Sequence, residues 1–423
     1  MDKGKKQIVD AVEQGSKPSS QSAYVFLAFV ISSLFSNLLR ELLPYMMCLL
    51  YGCRLNAALQ NGDPLIRLNA ERCLEEHRLL ERLGRAYSHN LKGLLRCALD
   101  IGIIRKRVID LSIDPTHLVY WGVKMIKRWG TPFSTMKNRA LPGLLPITCF
   151  DLLSGLILFM SDFIGKAKRD RRGKAKDAGK VVAKKVLRSV DFLRKEVGIR
   201  VRSLTGDEGM CSEHLLRELE KRDIRHLFAL SSRSSLGKLV PTIDGWTRLE
   251  DGRLIGMKSG VEYHGLKTNL IALKDDDRTY LYISNYGKGA RYVWSRYCRR
   301  GKHENGIGVA KSIGLEDGRP STNLFQVKGH ALACIYLMIL LKALSKRLGL
   351  DPNKEPQTIK SLLTRQCYVR WEEGRLMALV VVSRTLIARI GTSKIEWDGG
   401  SIELVWHQGR NATNTLMKIG AKG

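Results

Sequence analysis

Apolar residues recur every three or four positions from residue 23 to about residue 103, as in the stretches NLLRELLPYMMCLLYG and RLNAERCLEEHRLLERLGRAY. This interval places apolar side chains on one face of an α-helix. Residues 1–22 precede the pattern and are mostly polar. We therefore predict an all-helical N-terminal domain over residues 1–103.

Near residue 104 the apolar pattern changes to the short runs that are typical of β-strands. Three predicted strands come first, RKRVIDLSI (105–113), ITCFDLL and GLILFMSDFI, and the last two predict a hairpin that turns at Ser154-Gly155. After a basic helical run come a strand, IRVRSLTGDEG, a helix, CSEHLLRELEKRD, and another strand, IRHLFALSS. Three strands followed by helix, strand, helix and strand predict an α/β domain with a mixed sheet.

The α/β domain contains one interruption before its last helix. Residues 231–290 form short alternating runs separated by Asp-Gly, Ser-Gly and Asp-Asp-Asp turns, which we interpret as a β insertion. Residues 321–349 predict a long apolar helix that ends at Gly349. The domain accordingly spans residues 104–349, and residues 350–423 predict a small α/β C-terminal tail.

The net charge of the chain indicates which class of molecule it binds. The 423 residues include 71 lysines and arginines against 41 aspartates and glutamates, a formal net charge of +30. Such a balance favours a polyanion, because each phosphate contact releases counterions; nucleic acid is the first candidate and an anionic membrane surface the alternative. Residues 23–35 are too short to span a membrane, and residues 144–164 carry two aspartates. We predict no membrane span.

The positive charge is concentrated in residues 166–202, which hold 15 basic and 4 acidic residues. A run of this kind is usually a solvated helix face, but its size favours a surface that follows phosphates. Trp246 in the insertion is a candidate for stacking on a base, with packing inside a hairpin as the alternative. The cations that we select as phosphate ligands are Lys166, Lys168, Arg169, Arg171 and Arg172.

The nine cysteines form no CxxC pair and no spacing that would close a zinc site with histidine. This usage fits a reducing cytoplasm. The polar residues 1–22 lack the apolar core of a secretion signal. We therefore expect a cytoplasmic protein.

Carboxylates in three predicted elements suggest metal-dependent phosphoryl transfer. Two divalent metals about 4 Å apart stabilise the attacking and leaving oxygens, and Mg²⁺ prefers carboxylate oxygens as ligands. Asp110 lies in the first strand, Asp207 ends the fourth, and Glu304 follows the insertion. Asp114 is the main alternative to Asp110, and Glu208 is a lesser alternative to Asp207.

Glu304 also belongs to a motif, Tyr297-x2-Arg300-x3-Glu304-x6-Lys311. On a helix these offsets of 3, 7 and 14 fall on one face, so the last three side chains would point together. The glycines within this stretch each weaken a helix, so the helix is expected to begin late or to be irregular. His303 lies beside the motif, and a lone histidine of this kind is more often structural or phosphate-facing than a general base.

With this motif, residues 104–349 resemble the DDE transposases of prokaryotic insertion sequences that carry a Y-R-E-K motif. Two weaker motifs agree: Asp110 is followed by Ser112, and Asp207-Glu208-Gly209 matches D-x-G-[FY] except that Met210 takes the aromatic place. The resemblance implies an RNase H-like catalytic core with a β insertion before the glutamate helix. It also implies that Asp110, Asp207 and Glu304 hold the metals while Tyr297, Arg300 and Lys311 contact DNA.

The resemblance further implies a function: metal-dependent cleavage at element ends and strand transfer into target DNA by a cut-and-paste route. Two Mg²⁺ ions, with Mn²⁺ as a substitute, would be the cofactors. The partners would be element-end and target DNA and a second copy of the chain in a synaptic dimer, in a nucleoid-associated protein of a prokaryotic cytoplasm. The resemblance does not cover the helical N-terminal domain, whose apolar pattern alone suggests that it either binds DNA ends or caps the core. The alternatives are an RNase H-like structure-selective nuclease and an inactive basic nucleic-acid-binding protein.

Overall fold

The computed structural model divides the chain into two compact units, which are described separately. One unit holds Ser88–Lys311 and Leu315–Thr322; the other holds Met1–Tyr87, Ser312–Gly314 and Asn323–Gly423. This division differs from the predicted boundaries at residues 103 and 349, which stay predictions. The residues that the structure describes are 76–116, 118–119, 133–134, 139–140, 143–144, 146–161, 178–231, 233–276, 278–315, 323–353, 359, 367–372, 375–391, 394–397 and 400–406.

The described residues contain both helices and strands, and helices interrupt the series of strands at several points. The helices are α1 (Glu76–Arg85), α2 (Tyr87–Asp100), α3 (Ala178–Phe192), α4 (Glu213–Lys221), α5 (Ala290–Cys298), α6 (Gly301–Ala310), α7 (Leu324–Arg347) and α8 (Arg384–Ile390). The strands are β1 (Val108–Pro115), β2 (Leu118–Val119), β3 (Phe133–Ser134), β4 (Arg139–Ala140), β5 (Gly143–Leu144), β6 (Ile147–Asp151), β7 (Leu156–Met160), β8 (Arg200–Gly206), β9 (Arg225–Leu230), β10 (Thr247–Arg248), β11 (Leu254–Tyr263), β12 (Leu266–Asp275), β13 (Arg278–Ser284), β14 (Cys367–Glu372), β15 (Arg375–Val382), β16 (Lys394–Trp397) and β17 (Gly400–Trp406).

The first of these units is built on a nine-stranded sheet in the order β10-β11-β12-β13-β9-β8-β1-β6-β7. β1, β6 and β7 are antiparallel neighbours, whereas β8 runs parallel to β1 and β9 parallel to β8. Parallel neighbours need a crossover, and α3 and α4 occupy the connections before β8 and β9. The predicted mixed sheet of an α/β protein is therefore confirmed.

Burial is complete in the last two strands of this order, β6 and the edge strand β7. All five residues of β6 and all five of β7 are buried, as expected for strands covered on both faces. Their hairpin turns where predicted, with Gly155 at φ +66°, a value that favours glycine. The Asp151 carboxylate accepts hydrogen bonds from the backbone N–H of Leu153 (3.3 Å) and Ser154 (2.8 Å). This aspartate, one of the two that argued against a membrane span, holds a turn.

The segment predicted as a β insertion forms strands of the same sheet. Strands β10 to β13 are antiparallel to one another, and β13 pairs with β9, so the meander lengthens the sheet at that edge. A cluster of buried residues joins the meander to α5; it includes Leu227, Ile271, Tyr282 and Val293. The meander thus shares a core with the helix that follows it.

The other unit contains α1, α7 and a four-stranded sheet in the order β14-β15-β17-β16. A Cβ atom added at Gly84 or at Gly329 would overlap the backbone of the opposite helix, so α1 and α7 cross in direct backbone contact. By length and composition α7 could cross a membrane, and 72% of its most apolar window is buried inside the protein. A helix that is buried in the core of a protein can have the same length and apolar composition.

Candidate functional site

The polar face of β1 provides the first part of the site. Side chains alternate between the two faces of a strand, so Asp110, Ser112 and Asp114 lie on one face of β1. In the parallel pair of β1 and β8, Ile113 is opposite Gly206. The next residues along the two strands are Asp114 and Asp207, and this register brings them together at the carboxyl ends of both strands.

Arg300 joins these two aspartates to the motif glutamate. Its Nη2 lies 2.8 Å from Asp114 Oδ1 and 3.6 Å from Asp207 Oδ2, and its Nη1 lies 3.1 Å from Glu304 Oε1. The guanidinium is largely buried, whereas the side chains of Asp207 and Glu304 are 51% and 66% exposed. The three carboxylates therefore surround one cation and remain open to solvent on their outer side.

Asp110 has a different set of partners. Arg202 donates to both of its oxygens (2.9 and 2.6 Å), Ser203 Oγ donates at 2.6 Å, and Arg296 Nη2 donates at 2.7 Å. Burial raises the pKa of Asp110, but the hydrogen bonds from Arg202 and Ser203 and the charge of Arg296 outweigh burial and lower the pKa to about 2. Among the contacts of the described residues, Asp110 does not share Arg300 with the other carboxylates.

The electrostatics of Asp114 are opposite to those of Asp110. Burial raises the pKa of Asp114; the charge of Arg300 opposes this change, and the negative charges of Asp207 and Glu304 add to it. One guanidinium therefore faces three carboxylates. A cation bound at this site would relieve the repulsion that remains between them.

His303 fixes the glutamate helix against the sheet. Its Nδ1 lies 2.8 Å from Ser112 Oγ, its Nε2 lies 3.1 Å from Thr148 Oγ1, and its ring stacks on Phe150 at 4.8 Å with an interplanar angle of 2°. Burial, and then the charge of Arg300, lower the pKa of His303 to about 3. The imidazole is therefore neutral at physiological pH and is a structural anchor, in line with the sequence interpretation.

A glycine of the motif stretch explains how the helix comes so close to the sheet. A Cβ atom added at Gly306 would overlap the ring of Phe150, whereas additions at Gly301 or Gly308 would meet nothing within 4 Å. The helix is also interrupted, as expected from the glycine content: α5 ends at Cys298 and α6 begins at Gly301. Arg300 lies in this break.

The remaining residues of the motif lie on either side of the carboxylates. The ring of Tyr297 packs on Tyr282 at 4.6 Å, and burial raises the pKa of Tyr297 to about 12, so its hydroxyl stays protonated. Lys311 follows α6 and is half-buried. At 1.5 Å per residue it lies roughly 10 Å along the helix from Glu304.

The other residues selected from the sequence either make no hydrogen bond or ion pair with Arg300 within the described part of the chain or lie outside it. Trp246 is half-buried beneath the Lys274 ammonium, 4.2 Å from the ring centroid. Glu208 is exposed in the short 3₁₀ turn after Asp207. Five predicted phosphate ligands lie outside the described part of the chain: Lys166, Lys168, Arg169, Arg171 and Arg172.

The donor set suits a hard cation such as Mg²⁺, since Asp114, Asp207 and Glu304 offer only carboxylate oxygens. In the described part of the chain, no group of three or more His, Cys, Asp or Glu side chains is arranged to hold a metal ion as it stands. At this site the guanidinium of Arg300 contacts all three carboxylates. The chemistry of the donors fits a metal, and binding it requires Arg300 to move.

Several residues at the site were not selected from the sequence. Arg202, Ser203 and Arg296 hold Asp110, and Thr148 holds His303 together with Ser112, which the sequence indicated only as the hydroxyl residue after Asp110. The residues that were missed lie on β6, β8 and α5 and follow no fixed spacing from the motif. The one signal in the sequence is the interval of four from Arg296 to Arg300 and again to Glu304, which is the spacing of successive turns in a helix.

Compared with protein-family models and with curated proteins, the chain gives no significant match.

Proposed function

We propose that the chain is a DNA transposase of the DDE type, which cleaves DNA at the ends of a mobile element and transfers the freed strand to target DNA. The observation that carries the proposal is the convergence of Asp114, Asp207 and Glu304 on one guanidinium. These residues lie nearly 200 positions apart in the sequence, yet all three are within 3.6 Å of Arg300. Such carboxylates on separate elements suit two-metal phosphoryl transfer.

The order of the elements supports an RNase H-like core. Three antiparallel strands come first, then a helix, a parallel strand, a second helix and a second parallel strand. The antiparallel meander β10–β13 follows, and the glutamate helix comes after it. This is the order that the resemblance to Y-R-E-K transposases implies.

We assign the first acidic position to Asp114. Asp110 is the alternative, but its two oxygens already accept hydrogen bonds from Arg202, Arg296 and Ser203. A carboxylate held in this way has little capacity left for a metal ion. Within the described part of the chain, the Asp114 side chain would have to release only Arg300.

Each residue then has a role that follows from its position. Asp114, Asp207 and Glu304 would hold Mg²⁺, with Mn²⁺ as a substitute, and the metal would supply Lewis acidity toward the phosphate oxygens. Arg300 neutralises the carboxylates and, once displaced, would lie beside the scissile phosphate as a charge-assisted donor. His303 orients the helix that carries Arg300 and Glu304.

The formal charge of +30 supports DNA as the partner, because the phosphate backbone dominates the affinity of basic proteins for nucleic acid. A synaptic homodimer and a nucleoid-associated location in a prokaryotic cytoplasm complete the proposal. A structure-selective nuclease is the alternative function that the same carboxylates would serve. The two differ in whether the freed strand is joined to a second DNA.

The test is to incubate the protein with a plasmid that carries its gene and flanking DNA, together with labelled target DNA and Mg²⁺. We expect the wild type to nick and join. Glu304→Gln should bind DNA as the wild type does but lose cleavage, because a neutral amide is a poor ligand for a hard cation. Glu208→Gln is the matched control: it removes an exposed carboxylate from the turn after Asp207 and should leave cleavage intact.

Three outcomes would contradict the proposal. Wild-type cleavage by Glu304→Gln would make the assignment of the carboxylates wrong. A wild type that nicks but never joins would favour the nuclease. A wild type that binds DNA without nicking in Mg²⁺ or Mn²⁺ would favour the inactive binding protein.

A further inference from the structure

Beside the carboxylate cluster lies a second group of side chains, made of three arginines and two tyrosines: Arg202, Arg225, Arg296, Tyr286 and Tyr292. We refer to it as the arginine–tyrosine cluster. Tyr286 is buried and forms its floor. The guanidinium carbons of Arg225 and Arg296 lie 5.6 and 5.9 Å from the centre of this ring, and the Tyr292 ring lies edge-on to it at 6.1 Å.

The charges of this cluster are not balanced. Within the described residues, Asp110 is the only carboxylate in contact with the three arginines, and it pairs with Arg202 and Arg296. Three guanidinium charges against one carboxylate leave two positive charges in excess. Positive charge that is partly removed from water favours a bound anion.

The cluster is rigid at its base and open at its outer side. The side chain of Arg296 is 11% exposed and is held by Asp110, whereas that of Arg202 is 49% exposed. Tyr292 is 42% exposed, although large hydrophobic residues usually bury more of their surface. An ordered ring that faces solvent beside arginines is a suitable platform for stacking on a nucleic-acid base.

The position of the cluster relates it to the proposed active site. Asp110, which holds Arg202 and Arg296, and Asp114, which pairs with Arg300, lie four residues apart on β1. At about 3.3 Å per residue, the cluster lies roughly 13 Å along the strand from the carboxylates around Arg300. A DNA strand whose phosphate lies at Arg300 would therefore reach the cluster within a few nucleotides.

We propose that the arginine–tyrosine cluster binds an unpaired nucleotide of the DNA strand that flanks the scissile phosphate. Its phosphate lies on Arg202 and Arg225, and its base stacks on Tyr292. Asp110 is then a positioning residue, because it holds Arg202 and Arg296 in place for this contact. The inference rests on the proposed function for the identity of the strand, but the binding site itself is testable without catalysis.

The test measures the affinity of a fluorescent single-stranded 15-nucleotide DNA as a function of salt, in a Glu304→Gln background that prevents turnover. Arg225→Ala should weaken binding about 10-fold at 100 mM salt and reduce the slope of log affinity against log salt by about 0.7, the value for one phosphate of a single strand. Arg217→Ala is the matched control, since Arg217 is also exposed but pairs with Glu213 on α4. It should leave the slope unchanged.

Two substitutions of Tyr292 distinguish the contribution of base stacking to DNA affinity from the contribution of charge. Tyr292→Ala should weaken binding about 10-fold with no change in the salt slope, and Tyr292→Phe should bind as tightly as the parent because its ring still stacks. The inference is overturned if Arg225→Ala has the same slope as Arg217→Ala, or if Tyr292→Ala binds as tightly as the parent. Circular dichroism of each variant verifies that it is folded.

The results also distinguish this inference from the proposed function. If the wild type cleaves and joins DNA while the cluster variants bind normally, only the inference fails. If the cluster variants lose binding as expected but the wild type never cleaves, the transposase proposal fails and the nucleotide site remains.

Discussion

Asp110 and Asp114 show how two carboxylates on one face of one strand acquire different properties. Asp110 lies where β8 and α5 direct Arg202 and Arg296 toward it, and its pKa falls to about 2. Asp114 lies at the end of the strand beside two other carboxylates, and its pKa is raised, first by burial. The neighbours on other elements, and not the residue type, determine which of the two is available to a metal.

We expect Asp114→Asn and Asp110→Asn to affect different properties. Asp114→Asn should lose about 10²-fold or more in the rate of Mg²⁺-dependent cleavage, while Asp110→Asn should retain cleavage within about 10-fold. Asp110→Asn should instead lose stability. A carboxyl whose pKa falls from 3.8 to about 2 on folding contributes about 2 kcal/mol above pH 4, and this contribution disappears as the pH falls toward 2.

Rates of plasmid nicking and thermal unfolding between pH 2 and pH 8 test both statements. The difference in melting temperature between the wild type and Asp110→Asn should be constant above about pH 5 and shrink at lower pH. If Asp110→Asn abolishes cleavage and Asp114→Asn does not, Asp110 takes the first acidic position, as the sequence motif suggests.

From the sequence, Asp110 takes the first acidic position with Asp114 as the main alternative, and strand periodicity alone does not separate these two aspartates. Asp207, Arg300 and Glu304 were selected from motif spacing, and they lie together in the structure. Asp110 and Asp114 differ by an even number of positions, so strand periodicity places both on the same face. Only the pairing of Ile113 with Gly206 places Asp114 beside Asp207, and such a long-range register is not visible in a single sequence.

At the scale of elements, glycines in α6 have two different roles. The sequence indicated only that each glycine weakens a helix. In the structure, Gly306 is the point at which the helix touches Phe150 of β6, and His303, one turn earlier, stacks on the same ring. Close contact between helix and sheet therefore depends on the missing side chain at this position.

Gly306→Ala should destabilise the protein by about 1–3 kcal/mol, because the new methyl group overlaps a ring that is fully buried in the core. Gly308→Ala is the matched control in the same helix. Nothing lies within 4 Å of its added Cβ, so it should stabilise the protein by up to about 1 kcal/mol through helix propensity. Urea denaturation of the two variants measures the difference, and equal midpoints would mean that Phe150 moves aside without cost.

Strands β10 to β13 show that a sequence can predict a strand without predicting which strand it pairs with. Alternation and turn residues predicted strands over residues 231–290, but they were interpreted as an insertion into the α/β order. Their place in the sheet depends on the pairing of β13 with β9, where Ser284 lies opposite Leu227 across more than 50 residues. Local pattern defines a strand, whereas its partner is set by long-range packing.

At the scale of the whole molecule, positive charge is distributed over more than the site. The formal charge of +30 far exceeds the charge of the few cations around the carboxylates. DNA affinity should therefore depend on distributed phosphate contacts, and specificity of cleavage on the local geometry. The basic run of residues 166–202 has a net charge of +11 from 15 basic and 4 acidic residues, and we expect it to provide such contacts.

Replacing Arg169, Arg171 and Arg172 together with glutamine should weaken binding to duplex DNA of any sequence and lower the salt slope by about 0.9 for each phosphate that is no longer neutralised. The control replaces Arg217, Lys221 and Lys267, which are exposed on α4 and β12, and removes the same formal charge from another surface. If both triple variants show the same slope, the basic run acts only through net charge. If the slope of the first variant falls by about 2 to 3 and that of the control does not, the run binds the DNA backbone directly.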